Sequence, residues 1–424
     1  MIPLILPIGA LLIGVALLLL GSGLLNTLLA IRGGMEGYSD SSMGFIMSGY
    51  FIGFFMGTFL ALPLIRRIGH IRAFAFCAAI AASTVLLHVL AVHPAVWMLL
   101  RILTGISLVI LYTIIESWLN GYTPSEQRGK VFSAYMVVNL GALALAQQLL
   151  RLDSPTAFTL FAMAAMLVCI SLLPITWTRL AQPVVSQVAS VKYQDLYRMA
   201  PVAMAGALLS GLAMGAFWGM SAVYARRIGL DSNSVATFIS VAIIGGAIFQ
   251  FPLGRYSDKH DRRRVLLVVC VAAALAAVLL AVLSLAGNWV MLAIALYGGM
   301  ACAVYPVCVA HLSDHLDPDS MLAGSSGILL LHGVGAAVGP ALAGQLMELA
   351  GPQALPVYFI VMQLALGIFT LLHLRRKQDD PAEHPAHFVP MVRTTPTALE
   401  MLPDEELEKP EGNEEGVEQS AVEK

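Results

Sequence analysis

Twelve runs of apolar residues, each about long enough to cross a bilayer and separated by short polar breaks, leave this chain few ways to fold. Inside hydrocarbon every backbone N–H and C=O must be bonded within the protein, so only helices or a closed barrel can cross, and uninterrupted runs of this length select helices. The predicted spans are 6–31, 43–64, 73–92, 95–118, 131–150 and 157–177, then 199–224, 235–253, 265–285, 290–311, 321–347 and 355–374. The expected organisation is a six-helix bundle at 1–178, a cytoplasmic linker at 179–198, a second six-helix bundle at 199–376 and a disordered acidic cytoplasmic tail at 377–424. Charged residues make up only 12% of the chain, about half the share of a water-soluble domain. The fold class is therefore an all-α membrane protein, with the lipid bilayer as its first partner. The apolar run that starts almost at Met1 is expected to be a retained first helix rather than a cleaved signal peptide.

Lysine and arginine orient the chain, because cytoplasmic loops retain positive charge during insertion. The even-numbered connections and the segment after the last span hold sixteen (Arg66, Arg67, Arg72, Arg128, Lys130, Arg179, Lys192, Arg198, Arg255, Lys259, Arg262, Arg263, Arg264, Arg375, Arg376, Lys377). The odd-numbered connections hold four, Arg32, Arg151, Arg226 and Arg227. Both termini are thus expected in the cytoplasm, with the chain in a bacterial inner (plasma) membrane. A net charge of −2 with no basic patch argues against a nucleic-acid partner. The five cysteines fall in predicted spans without paired or metal-type spacing, so no metal or other cofactor is expected. A shift of about 194 residues superposes Arg32 on Arg226 and Pro124 on Pro318, a faint internal repeat of the kind that places a solute site between two halves.

The eighth and ninth spans are joined by Gly254-Arg-Tyr-Ser-Asp258-Lys259-His-Asp261-Arg262-Arg263. This resembles the loop signature of the major facilitator superfamily, with Asp261 where that signature has glycine. The resemblance implies a conformational latch of a carboxylate among cations, here Gly254, Asp258, Lys259, Arg262 and Arg263. The matching first-half loop is poorer and puts Arg66 where an aspartate is expected, beside Arg67. Arg101, four residues before Gly105 in the fourth span, resembles the superfamily's arginine motif on that helix. An arginine in a span is costly unless it faces a partner or an aqueous cavity, although this one lies near enough to the span end to snorkel. Glu116 reads as the one carboxylate well inside a span and is the leading proton-coupling candidate. Fifteen residues from Arg101, about 22 Å along a helix, it needs a partner from elsewhere. Glu116-Ser-Trp-Leu-Asn120 followed by Arg128-Gly-Lys130 is similar to the YcaD-like subgroup of bacterial major facilitators. The superfamily resemblance extends over the whole set of spans and implies two bundles that alternately expose a central site.

In the eleventh span Gly333, Gly335, Gly339, Pro340 and Gly344 combine small faces with a helix-bending proline, as a close-packed rocking element requires. The run resembles the glycine-proline motif of superfamily antiporters, which belongs to the fifth helix; the fifth span here lacks Gly-Pro. Asn26, Asn139, Gln147, Trp218, Tyr224, Gln250 and Tyr305 are candidates to line a solute cavity, and His332 to join Arg101 and Glu116 in proton coupling. No phosphate-binding loop is present and no His/Asp/Glu cluster lies within the spans, so neither ATP hydrolysis nor intramembrane catalysis is expected. The expected function is a monomeric secondary transporter of a small organic solute, proton-coupled and favouring export. The alternative is a membrane assembly or sensing protein that acts through its tail.

Overall fold

Side-chain caps set the starts of several helices in this chain. The computed structural model describes residues 2–124, 127–177, 192–284, 286–316 and 318–376, with Phe388, Met391 and Thr395 of the tail; the side chains of 2–7, 318, 319, 322 and 376 lie outside that description. The helices are α1 (Ile2–Met35), α2 (Asp40–Ile68), α3 (His70–Leu90), α4 (Pro94–Tyr122), α5 (Arg128–Gln148), α6 (Phe158–Ile170) and α7 (Leu172–Trp177). The short α8 (Tyr193–Met199) leads into α9 (Pro201–Arg227), α10 (Ser232–Ser257), α11 (Arg262–Leu283), α12 (Trp289–Ser313), α13 (Pro318–Ala350) and α14 (Ala354–Arg376). With α6 and α7 taken as one crossing, twelve spans are long and apolar enough to traverse a membrane, and the described residues contain no strand. Most helices overrun their apolar stretch. In α2, predicted from Met43, the first turn begins at Asp40 because Ser39 accepts a hydrogen bond from Ser42 N (3.2 Å). At the other end, Gly69 at φ +82° lets α2 stop and α3 start within one residue. Asp231 caps α10 by accepting from Ser234 N (3.1 Å), and hydrogen bonding from Ser234 holds its carboxyl below the usual carboxylate range. The expected linker falls largely on 178–191, outside the described residues, as does the tail apart from its three placed residues.

Small residues decide which helices meet. A Cβ on Gly53 of α2 would strike the backbone of Ile102, and one on Gly105 of α4 the backbone of Tyr50 and Phe54, so these helices cross backbone to backbone. The second half repeats the device: Gly245 of α10 faces the Ala295 backbone and Gly298 of α12 the Ala242 backbone. The crossings lie 192 residues apart from Gly53 to Gly245 and 193 from Gly105 to Gly298, a clearer trace of duplication than the arginine and proline pairs. Gly335 and Gly339 of α13 press on Leu208 and Leu212 of α9, while Gly344 meets Asp40 O and Gly44 of α2. The expected small-residue element thus packs on both halves at once; Gly333 alone has room, with Phe55 3.5 Å from where a Cβ would be.

Among the described residues, bonds between the two halves gather toward one end. At the face bearing the odd-numbered connections, Arg227 Nε lies 3.1 Å from Asp40 Oδ2, and Glu348 accepts from Ser41 N (3.4 Å). Arg151 donates to Thr237 (2.7 Å), Gln148 to Ser240 (2.6 Å) and Ala341 N to Ser48 (3.1 Å). Every one of these bonds links a first-half residue to a second-half residue. Toward the face that carries the basic loops the halves part, and a cavity lies between them.

Candidate functional site

The cavity encloses about 990 Å³ of space between side chains, counting the part that runs out to solvent. Four helices line it. From α2 come Tyr50, Phe51, Phe54, Phe55 and Thr58, and from α9 Met214 and Trp218. Cys302 and Tyr305 come from α12, Leu329, Leu330, His332 and Ala336 from α13, and Met391 from the tail. Because α2 belongs to the first half, α9 and α12 to the second, and α13 leans on both, the cavity sits on the plane where the halves meet. Its polar groups are few. His332 Nδ1 is 3.1 Å from Ser210 Oγ, and its ring lies 4.3 Å from that of Tyr305. Such a surface suits a flat apolar body with few polar groups, through stacking and edge contacts.

Below this chamber a smaller cavity is lined by Asn26, Thr27, Gln147 and, again, Trp218. Asn26 Nδ2 donates to Trp218 O (2.9 Å), and Thr27 donates to Gln147 Oε1 (2.6 Å). Arg101 is 2% exposed; its guanidinium donates to Asn26 Oδ1 (2.7 Å) and lies 4.7 Å from the Tyr50 ring centroid. It therefore points into the protein and does not snorkel. A buried guanidinium beside an aromatic wall lends this end of the chamber positive potential.

Glu116 is fully buried in α4, toward the basic face. Tyr135 of α5 donates its hydroxyl to Oε1 (2.7 Å), and Thr395 of the tail donates to Oε2. Next along α4, Ser117 meets His70 of α3 at 3.3 Å, and the His70 ring lies 5.4 Å from that of Trp118. In the second half, Arg262 at the start of α11 reaches Asp314 Oδ2 through Nε (2.5 Å) and Asp258 Oδ1 through a terminal nitrogen (3.3 Å). Arg263 approaches Asp261 at 3.5 Å, and Asp261 Oδ1 accepts from Arg263 N (2.9 Å), capping α11. Capping explains an aspartate where the loop signature has glycine.

The sequence matches the Major Facilitator Superfamily profile over residues 11–193 and 203–402. The chain belongs to the major facilitator superfamily. Its relatives include the uncharacterized MFS-type transporter YcaD of Escherichia fergusonii, 27% identical over 382 residues, 89% of this chain and 98% of the relative. The YcaD protein of Salmonella newport is 28% identical over 378 residues, 88% and 97% of the two chains. Among solved structures, the nucleoside transporter NupG overlays with a TM-score of 0.72 at 15% identity, covering 88% of this chain and all of that one. The D-xylose-proton symporter overlays at 0.65 and 16%, covering 87% and 96%. Both show the fold, while the YcaD relatives bear out the subgroup resemblance. This facilitator is therefore a multi-pass membrane protein and a secondary transporter.

The facilitator's expected site residues divide three ways. Trp218, Tyr305 and His332 line the chamber, and Asn26 and Gln147 line the smaller cavity beside Arg101. Three expected cavity residues do not line either space. Tyr224 donates to Leu280 O (3.3 Å), Gln250 to Cys302 O (3.2 Å) and Asn139 to Tyr135 O (2.7 Å), each spending its polar group on helix backbone. The loop cluster, read as a latch, ties the ends of α10, α11 and α12 within one half; Lys259, Arg66 and Arg67 are exposed. A second buried carboxylate, Asp40, opens α2 at the opposite face. Asp40, Glu348, Asp314 and Tyr135 escaped the sequence reading. Asp314 had a usable signal, an acid just past an apolar run, whereas the others depend on which helices become neighbours.

Proposed function

We propose that this facilitator moves a small neutral, amphipathic or anionic organic solute with an aromatic or otherwise flat apolar portion across a bacterial inner membrane. Its basic face and both termini are cytoplasmic, it works as a monomer, and proton-coupled export is its working direction. One observation carries this reading: an aromatic chamber between two halves that are bonded together at one face and parted at the other, the geometry of one stage of alternating access. The sparse polar lining disfavours polycations, and Arg101 favours anionic or electron-rich groups near the chamber floor. Glu116 carries the proton, with Tyr135 as its hydrogen-bond donor and His332 as a second titratable group facing the solute. The Gly339-Pro340 element, packed on both halves, supports a rocking motion.

The test is flux in proteoliposomes with an imposed pH gradient, using a panel of fluorescent aromatic amphiphiles of neutral, anionic and cationic charge. Accelerated movement of a neutral or anionic member, weakened by Trp218→Ala, is expected. Rates equal to those of empty liposomes for every member, with and without the gradient, would sink the transport assignment.

A further inference from the structure

The tail returns to the protein. Phe388 N donates to Asp258 Oδ1 (2.8 Å), and the Phe388 ring lies so close to Gly254 that a Cβ there would collide with it. Three residues on, Met391 is buried in the chamber wall with Tyr305 and His332. Four residues further, Thr395 is fully buried and hydrogen-bonds Glu116. The first contact belongs to the second half and the last to the first half. Seven residues of chain span at most about 25 Å, so Phe388 and Thr395 anchor one short stretch to opposite halves, with Met391 in the chamber wall between those anchors in sequence.

The geometry points to a peptide site at the cytoplasmic mouth of the chamber whose ligand is the chain's own segment 388–395, seated there in competition with solute as an autoinhibitory plug. Each anchor occupies a group that cycling needs. Thr395 donates to Glu116 Oε2 while Tyr135 donates to Oε1, and Phe388 shares Asp258 Oδ1 with Arg262. Met391 stands where the chamber would have to narrow for this face to close. The ligand suits its site chemically: an aromatic ring against a glycine, a flexible thioether among aromatic rings, and a hydroxyl donor to a buried carboxylate. A short tether makes weak complementarity sufficient. Residues 377–387 hold the segment near its site at an effective concentration of order millimolar, so an intrinsic dissociation constant of about 0.1 mM gives roughly nine-tenths occupancy. Only the consequence for flux rests on the transport reading; the seating of the tail does not.

The experiment uses the full-length protein with Thr58→Cys on the chamber wall, labelled by a membrane-impermeant thiosulfonate and read at that peptide by mass spectrometry. Adding Phe388→Ala, Met391→Ala and Thr395→Ala together is expected to speed labelling roughly tenfold, the inverse of the unoccupied fraction. A synthetic peptide of residues 386–397 at millimolar concentration is expected to slow it again, while the same peptide with the three alanines has no effect. Labelling within twofold of the unsubstituted tail overturns the proposal, as does acceleration that the native peptide fails to reverse. Because no solute is followed, a protected chamber in a protein that moves nothing would refute transport and leave the plug standing. Flux with an unprotected chamber would do the reverse.

Discussion

Replacing Asp40 with asparagine keeps its size and removes its charge from the bonded face, so it tests whether that face is held shut by this pair. Asp40 Oδ2 is 3.1 Å from Arg227 Nε; the carboxylate is buried, whereas the Arg227 side chain is 54% exposed. At that separation an effective dielectric near 20 puts the bare attraction at about 5 kcal/mol. Desolvation of the acid and solvent screening of the half-exposed arginine offset most of it, leaving about 1 to 1.5 kcal/mol. If the pair exists only while this face is closed, its loss raises the population open at that face roughly five- to tenfold. The assay is alkylation, from the side opposite the termini, of a cysteine placed at Ala222 in the wall of the smaller cavity. Asp40→Asn and Arg227→Gln should each accelerate labelling by that factor, and the double variant by no more than either alone. Unchanged rates, or effects that multiply, would refute the reasoning, because either outcome means that the two charges do not act as one tie.

Four further outcomes follow from the packing and the site. Glu116→Gln should insert and fold normally yet lose the pH dependence of solute flux, measured as proton and solute movement in the same proteoliposomes; coupling that survives would make Glu116 structural. Gly53→Ala forces a Cβ into the backbone of Ile102 inside the first half and should lower thermal stability by about 1–3 kcal/mol. Gly344→Ala strikes Asp40 O across the two halves and should instead open the bonded face, read by the same Ala222→Cys labelling, with a smaller change in melting temperature. Arg262→Gln leaves Asp258 and Asp314 facing each other without their shared cation, a loss of about 2–4 kcal/mol that should appear as a lower melting temperature in detergent.

The number of spans, the even count that brings both termini to one face and the bias of cations toward that face were legible in the linear chain. Each rests on a local transfer free energy: twenty apolar residues prefer lipid, and a cation resists crossing it, whatever else the chain contains. Arg101, Glu116 and His332 could be singled out on the same ground, since each is costly in hydrocarbon without a partner. Who the partners are was not legible. Asn26 for Arg101, Tyr135 and Thr395 for Glu116, and Asp314 for Arg262 lie between 19 and 279 residues away. Only tertiary structure decided that Tyr224 and Gln250 bond backbone while Trp218 and Tyr305 face the chamber, and that Met391, far along the tail, lines it too. The physical reason is that a soluble helix announces its inner face by an apolar stripe, whereas lipid is as apolar as a protein core. With both sides of each helix alike in hydropathy, rotation and neighbour were settled by glycine-width close approaches and a few buried hydrogen bonds, which exist only once the helices have met.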